Sequence, residues 1–181
     1  RAASRIGHRC LIAAFCDTRF GRPEVAEEAR RQGLEVEIVE CGGRVDWGSV
    51  GRIRRLLSKH NVEVLHTHGY KADLYGYAAS LPARVALVST CHNWPGKHWI
   101  MRTYAAVDRL VLRRFDKVVA VSDAVADTLR NAGVKGSLTV ANGVEVERFA
   151  EAQPVLRRRF GSPGERLVGF VGRLVPDKGG A

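Results

Sequence analysis

The stretch "FDKVVAVSDAVADTLRNAG", residues 115–133, contains a strand, a cap, a helix and a stop in immediate succession. The β-branched run "DKVVAVS" (116–122) suits an extended strand. Ser122 is a residue type that caps helices, and in "DAVADTLRNA" Val125 and Leu129 stand four apart on one helical face. Gly133 suits the left-handed position after a helix. A strand that passes straight into a helix must reach its next strand by a crossover, which is how parallel sheets are built.

Outward from this unit the same rhythm recurs. Strands are expected at "RCLIAAF" (9–15), "LEVEIVE" (34–40), "VEVLHTH" (62–68), "RVALVST" (84–90), "SLTVA" (137–141) and "LVGFVG" (167–172). Between the early strands, Pro23 is expected as the first helical residue of "PEVAEEARRQ", with Gly33 closing it. Asp46 is expected to cap "WGSVGRIRRLLSKH", whose Val50, Ile53, Leu56 and Leu57 share a face. The fold class is therefore α/β, a doubly wound, Rossmann-like and mostly parallel sheet covered by helices on both faces.

The 181 residues, 45% hydrophobic and 27% charged, have a globular composition and exclude disorder as the leading description. No apolar run reaches the length needed to span a bilayer, and "RAASRIGHRC" has no apolar signal core behind it. The formal net charge is +10, with clusters such as "RIRRLL" and "VLRRRF", so the surface would attract phosphates, nucleic acid or anionic lipid, or simply be solvated. Cys10, Cys16, Cys41 and Cys91 lack CxxC spacing and fit small buried residues in a reducing compartment. The polar segment 145–167, with Pro154 and "GSPG", fits an interdomain linker. It divides a domain over 1–160 from residues 161–181, where a second α/β unit opens.

In open parallel sheets ligands bind beyond the carboxyl ends of strands, and four places there carry candidate chemistry. His66 and His68 in "LHTHG" point to the same side of a strand. They are compatible with packing, substrate contact or metal binding, although no third zinc ligand accompanies them at a telling spacing. His92 in "STCHNWPG" could donate to a phosphate or sugar hydroxyl, or serve structurally. Asn142-Gly143 suits a turn with positive φ, which would bring backbone close to a ligand or merely turn the chain. In "LVGFVGRLVPDKGGA" (167–181), Arg173 and Lys178 could converge on a diphosphate, with Gly179 and Gly180 letting a helix N-terminus approach. The spacing matches neither GxxxxGK[ST] nor GxGxxG. No DxD occurs, so charge neutralisation would fall to Arg, Lys and helix ends rather than to a metal held by paired carboxylates.

In order, "HTHGYKADLYGYAAS", "STCHNWPG", "FDKVVAVSDAVADTL", "VANGVEVERF" and "VGRLVPDKGG" resemble the retaining GT-B glycosyltransferases of family 4, over residues 62–181. The resemblance implies two Rossmann-like domains, with an acceptor-side domain over 1–160 and the start of a donor-binding domain over 161–181. It implies sugar transfer from a nucleotide-sugar donor to a sugar, lipid or glycan acceptor, without cofactor or metal. Arg173 and Lys178 match the family's grip on the donor diphosphate, and His92 its cleft histidine near the donor sugar. His68, Ser122, Asn142 and Gly143 match cleft-lining positions. The family's first strand and glycine-rich loop would precede residue 9, where "RAASRIGH" does not match, and its EX7E region would follow Ala181. The expectation is thus an inactive fragment of a cytoplasmic enzyme.

The helix expected over 97–115, with Trp99 and Ile100, is a candidate contact with anionic membrane at the inner face of the cell membrane, or else solvated or packed in the core. Two other functions fit the same chain, a GT-B UDP-sugar epimerase and a non-catalytic basic binding module. Nucleic acid is not an expected partner, since aromatic and basic residues are not interleaved.

Overall fold

The computed structural model describes residues 6–17, 19, 21, 23–43, 45–92, 99–144, 146–151, 153, 155–161 and 164–169, with backbone only at 99–102 and 148. It forms two compact units, residues 1–142 and 143–181. In the first unit strands and helices alternate throughout: β1 (Leu11–Cys16), α1 (Glu24–Arg31), β2 (Glu35–Glu40), α2 (Gly48–Lys59), β3 (Val64–His68), α3 (Tyr70–Ser80), β4 (Ala86–Cys91), α4 (Trp99–Leu112), β5 (Lys117–Ala120), α5 (Asp123–Asn131) and β6 (Leu138–Thr139). Among the described residues all pairings are parallel. They fall into two sheets, β1-β2 and β3-β4-β5-β6, because β1 and β3 are not hydrogen-bonded to each other.

The sheets share a core. Val39 and Cys41 from the β2 end, Ile53 and Leu57 from α2, and Tyr75 and Ala79 from α3 are buried together, with Phe15 of β1 and Leu65 of β3 packed against them. Val50 and Leu56 join the same cluster, so the apolar face expected of α2 is the one it buries. A second cluster under the larger sheet contains Cys91, Leu112, Val118, Ala120, Ala126, Leu129 and Val134. Burial of a large aliphatic side chain stabilises by about 1.5–3 kcal/mol, and these two clusters hold most of them.

The helix ends follow local chemistry with two corrections. Ser122 Oγ accepts a hydrogen bond from the Val125 amide at 3.3 Å, and Gly133 takes φ +77, both as expected. Gly33 is likewise left-handed at φ +75. Pro23 precedes α1 instead of opening it, since its ψ of 130 is extended and its carbonyl accepts from Ala26 at 2.9 Å. Asp46 caps from outside the helix, its Oδ1 accepting from the Gly48 amide at 2.9 Å, while Trp47 already has helical φ and ψ. Cys16, Cys41 and Cys91 are buried.

In the second unit, the stretch expected as linker contains two short helices, α6 (Val146–Ala150) and α7 (Val155–Phe160). Leu167–Gly169 make no strand, and the remainder of the strand expected at 167–172 lies outside the described residues.

Candidate functional site

The alternation of β3 sorts its residues onto two faces. Thr67 points inward and is buried, while His66 and His68 point outward and are exposed. The register pairs His66 with Val88 and His68, the last residue of β3, with Thr90, so His92 follows two residues beyond that last pair. His68 Nδ1 and His92 Nε2 lie 3.3 Å apart and are hydrogen-bonded. The three imidazoles are stacked, with centroids 4.7 Å apart for His66 and His68 and 5.6 Å for His68 and His92. His66 Nε2 bonds Thr90 Oγ1 at 2.8 Å.

His66 and His68 are biased towards neutrality. Partial desolvation beside the neighbouring rings and strand lowers the pKa of His66, and partial desolvation followed by the neighbouring charges of His66 and His92 lowers that of His68. Neutral imidazoles each offer one donor and one acceptor, which suits hydroxyl groups, and an arriving anion would favour protonation. Among the described residues, no group of three His, Cys, Asp or Glu side chains is arranged to hold a metal ion.

The opposite face hides groups that sequence reading did not single out. Asp73, on α3 and only 2% exposed, accepts hydrogen bonds at Oδ1 from Thr67 Oγ1 and, at 2.8 Å, from Ser89 Oγ. Burial pushes its carboxyl well above the ordinary range, the two hydroxyls oppose this, and buried Asp108 on α4 adds to it. Burial, then Asp108 and Asp73, pushes the Cys91 thiol up to about 12. Both carboxyls interrupt apolar helices, "KADLYGYAAS" and "AAVDRLVL", and that interruption was the available signal. Asp108 also lines a cavity of about 80 Å³ with Trp47, Tyr70, Lys71, Tyr75 and Tyr104. Its aromatic walls, including the Tyr70–Tyr104 pair at 5.3 Å, can stack on the apolar face of a ring.

Ser122 sits at the carboxyl end of β5 with its hydroxyl used as a cap. Asn142 and Gly143 are exposed beyond β6, and neither has positive φ, because the chain runs through 141–144 without turning. Arg173, Lys178, Gly179 and Gly180 lie outside the described residues.

Residues 1–148 match the sequence model of Glycosyltransferase Family 4. The chain belongs to that family. A GDP-mannose-dependent alpha-mannosyltransferase of Mycobacterium tuberculosis is 43% identical over 111 residues, 60% of this chain and 26% of that relative. Among solved structures, Anabaena HepE in complex with UDP and glucose superposes with a TM-score of 0.69 at 21% identity, covering 88% of this family-4 chain and 44% of HepE. A glycosyltransferase from Rickettsia africae superposes at 0.64 and 19% identity, covering 87% of this chain and 41% of that one. The chain thus spans about a quarter of the curated relative and less than half of each solved one, and the structural likeness is one of fold.

Proposed function

We propose that this family-4 chain is the acceptor-side part of a retaining glycosyltransferase that moves a sugar from a nucleotide-sugar donor to a sugar, lipid or glycan acceptor. What supports this most is the exposed His68–His92 pair at the carboxyl ends of two adjacent parallel strands, the edge at which open α/β sheets bind ligands. His92 orients the donor sugar, and Arg173 and Lys178 neutralise the leaving diphosphate without a metal. The mannosyltransferase relative makes GDP-mannose the first donor to test, with UDP-glucose second.

The test is transfer kinetics of the full-length protein with its Lys178→Ala variant. Losing one such charge contact lowers kcat/KM for the donor by about 10²-fold or more. An unchanged kcat/KM removes Lys178 from the site, and an epimerised nucleotide sugar formed without any acceptor assigns the epimerase reaction instead. For the acceptor, Val107 and Leu110 on α4 are 44% and 60% exposed, and with the net charge of +10 they support a peripheral contact with anionic membrane. Pelleting with phosphatidylserine vesicles at low salt, lost at high salt, is expected; no pelleting at low salt refutes the contact. No helix among the described residues is long and apolar enough to cross a membrane.

A further inference from the structure

We propose that His68 is a positioning residue for His92, its Nδ1 occupying Nε2 of His92 so that the Nδ1 edge of His92 is the one left for a ligand. The bond between them does not depend on the proposed transfer reaction; only the purpose assigned to the free Nδ1 edge does. Two ring nitrogens 3.3 Å apart must present one N–H and one lone pair to each other, since two N–H groups or two lone pairs would repel. The two rings are therefore complementary, an N–H on Nδ1 of His68 requiring a lone pair on Nε2 of His92 and the reverse, so the state of one sets that of the other. His68 is itself held in place. Its ring stacks at 4.7 Å on His66, and His66 is anchored by its 2.8 Å bond to Thr90 Oγ1 on the neighbouring strand. The order Thr90, His66, His68, His92 thus runs from the paired strands to the exposed ring that follows β4. Orientation of a ligand-contacting imidazole by a second group on its far nitrogen is a general means of fixing which edge faces the ligand.

The experiment is nitrogen-15 spectroscopy of histidine-labelled protein, comparing His68→Ala, His68→Asn and His68→Gln with the unsubstituted chain. An Asn amide lies where the imidazole Nδ1 lies, one bond from Cγ, whereas a Gln amide reaches the Nε2 position. Expected is a His92 whose Nε2 shift is that of a hydrogen-bonded nitrogen, lost in His68→Ala, restored in His68→Asn and not restored in His68→Gln. Should His68→Ala fail to fold, the Asn and Gln variants still decide the matter. Identical His92 nitrogen shifts in the unsubstituted chain and a folded His68→Ala overturn the proposal, as does equal restoration by Asn and Gln, which would mean simple packing. No sugar is present in this measurement, so its failure is separate from failure of the transfer reaction.

Discussion

Substituting Gly76→Ala tests how tightly α3 is seated on the strand that carries the histidine row. A Cβ at Gly76 would lie 2.9 Å from Thr67 Cγ2 and 3.1 Å from Leu65 Cδ2. On helix propensity alone the change would stabilise by about 1 kcal/mol. Overpacking a well-packed site costs about 1–3 kcal/mol, and which effect wins depends on whether the neighbours can move. Leu65 can rotate its terminal methyl groups. Thr67 cannot turn its methyl away without breaking the bond from Oγ1 to Asp73, which is itself shared with Ser89. The expected net effect is a loss of about 1 kcal/mol, or roughly 2–4 °C in Tm for a chain of this size. Thr67→Ser deletes the obstructing methyl and keeps the hydroxyl, so in that background Gly76→Ala becomes neutral or stabilising, a coupling of about 1 kcal/mol or more. Urea unfolding of the four proteins in the cycle measures it. A stabilising Gly76→Ala in the unsubstituted chain, or the same penalty with and without Thr67→Ser, refutes the packing.

Three further outcomes are expected. Asp73 has a raised pKa in the folded protein, so its stabilising contribution is full below the ordinary carboxylate pKa and is lost as pH rises through the raised value. Asp73→Asn keeps the acceptor oxygen and cannot ionise, so urea unfolding from pH 4.5 to 8 should show the unsubstituted chain losing stability relative to the variant as pH rises; parallel profiles contradict this. His66 has a lowered folded pKa, so its contribution is present above about pH 6.5 and is lost as pH falls. His66→Gln, which can still reach Thr90, should flatten the acid-side fall in Tm between pH 7 and 5. Ser122→Ala removes the α5 cap and should cost about 1 kcal/mol, seen as a lower Tm that Ser122→Asp largely recovers.

What could be seen in the sequence was whatever depends on neighbours along the chain. The β-branched run before Ser122 and the spacing of Val125 and Leu129 located β5 and α5, because a strand's composition and a helix's periodicity are local properties. The inward face of α2 was legible for the same reason. Boundaries were less so: Pro23 has a φ compatible with either side of a helix start, and only its ψ places it outside. The partnership of His68 with His92 was not legible, although both residues were candidates, because it depends on the register that sets His68 beside Thr90. Periodicity shows which side chains share a face but does not fix how two strands slide against each other. Asp73 was missed on similar grounds, since its hydroxyl partners come from two different strands. The positive φ expected at Asn142-Gly143 is not adopted, because tolerance of positive φ does not oblige a residue to take it.

The proposed function is sugar transfer with retention at a site that includes His92. Its most direct measurement is the anomeric configuration of the product, by proton spectroscopy, when the full-length protein and its His92→Ala variant are given GDP-mannose or UDP-glucose and an acceptor. Expected are a product of the same configuration as the donor and a variant slowed by about 10²-fold or more. An inverted product, or a His92→Ala variant as fast as the unsubstituted protein, would contradict it.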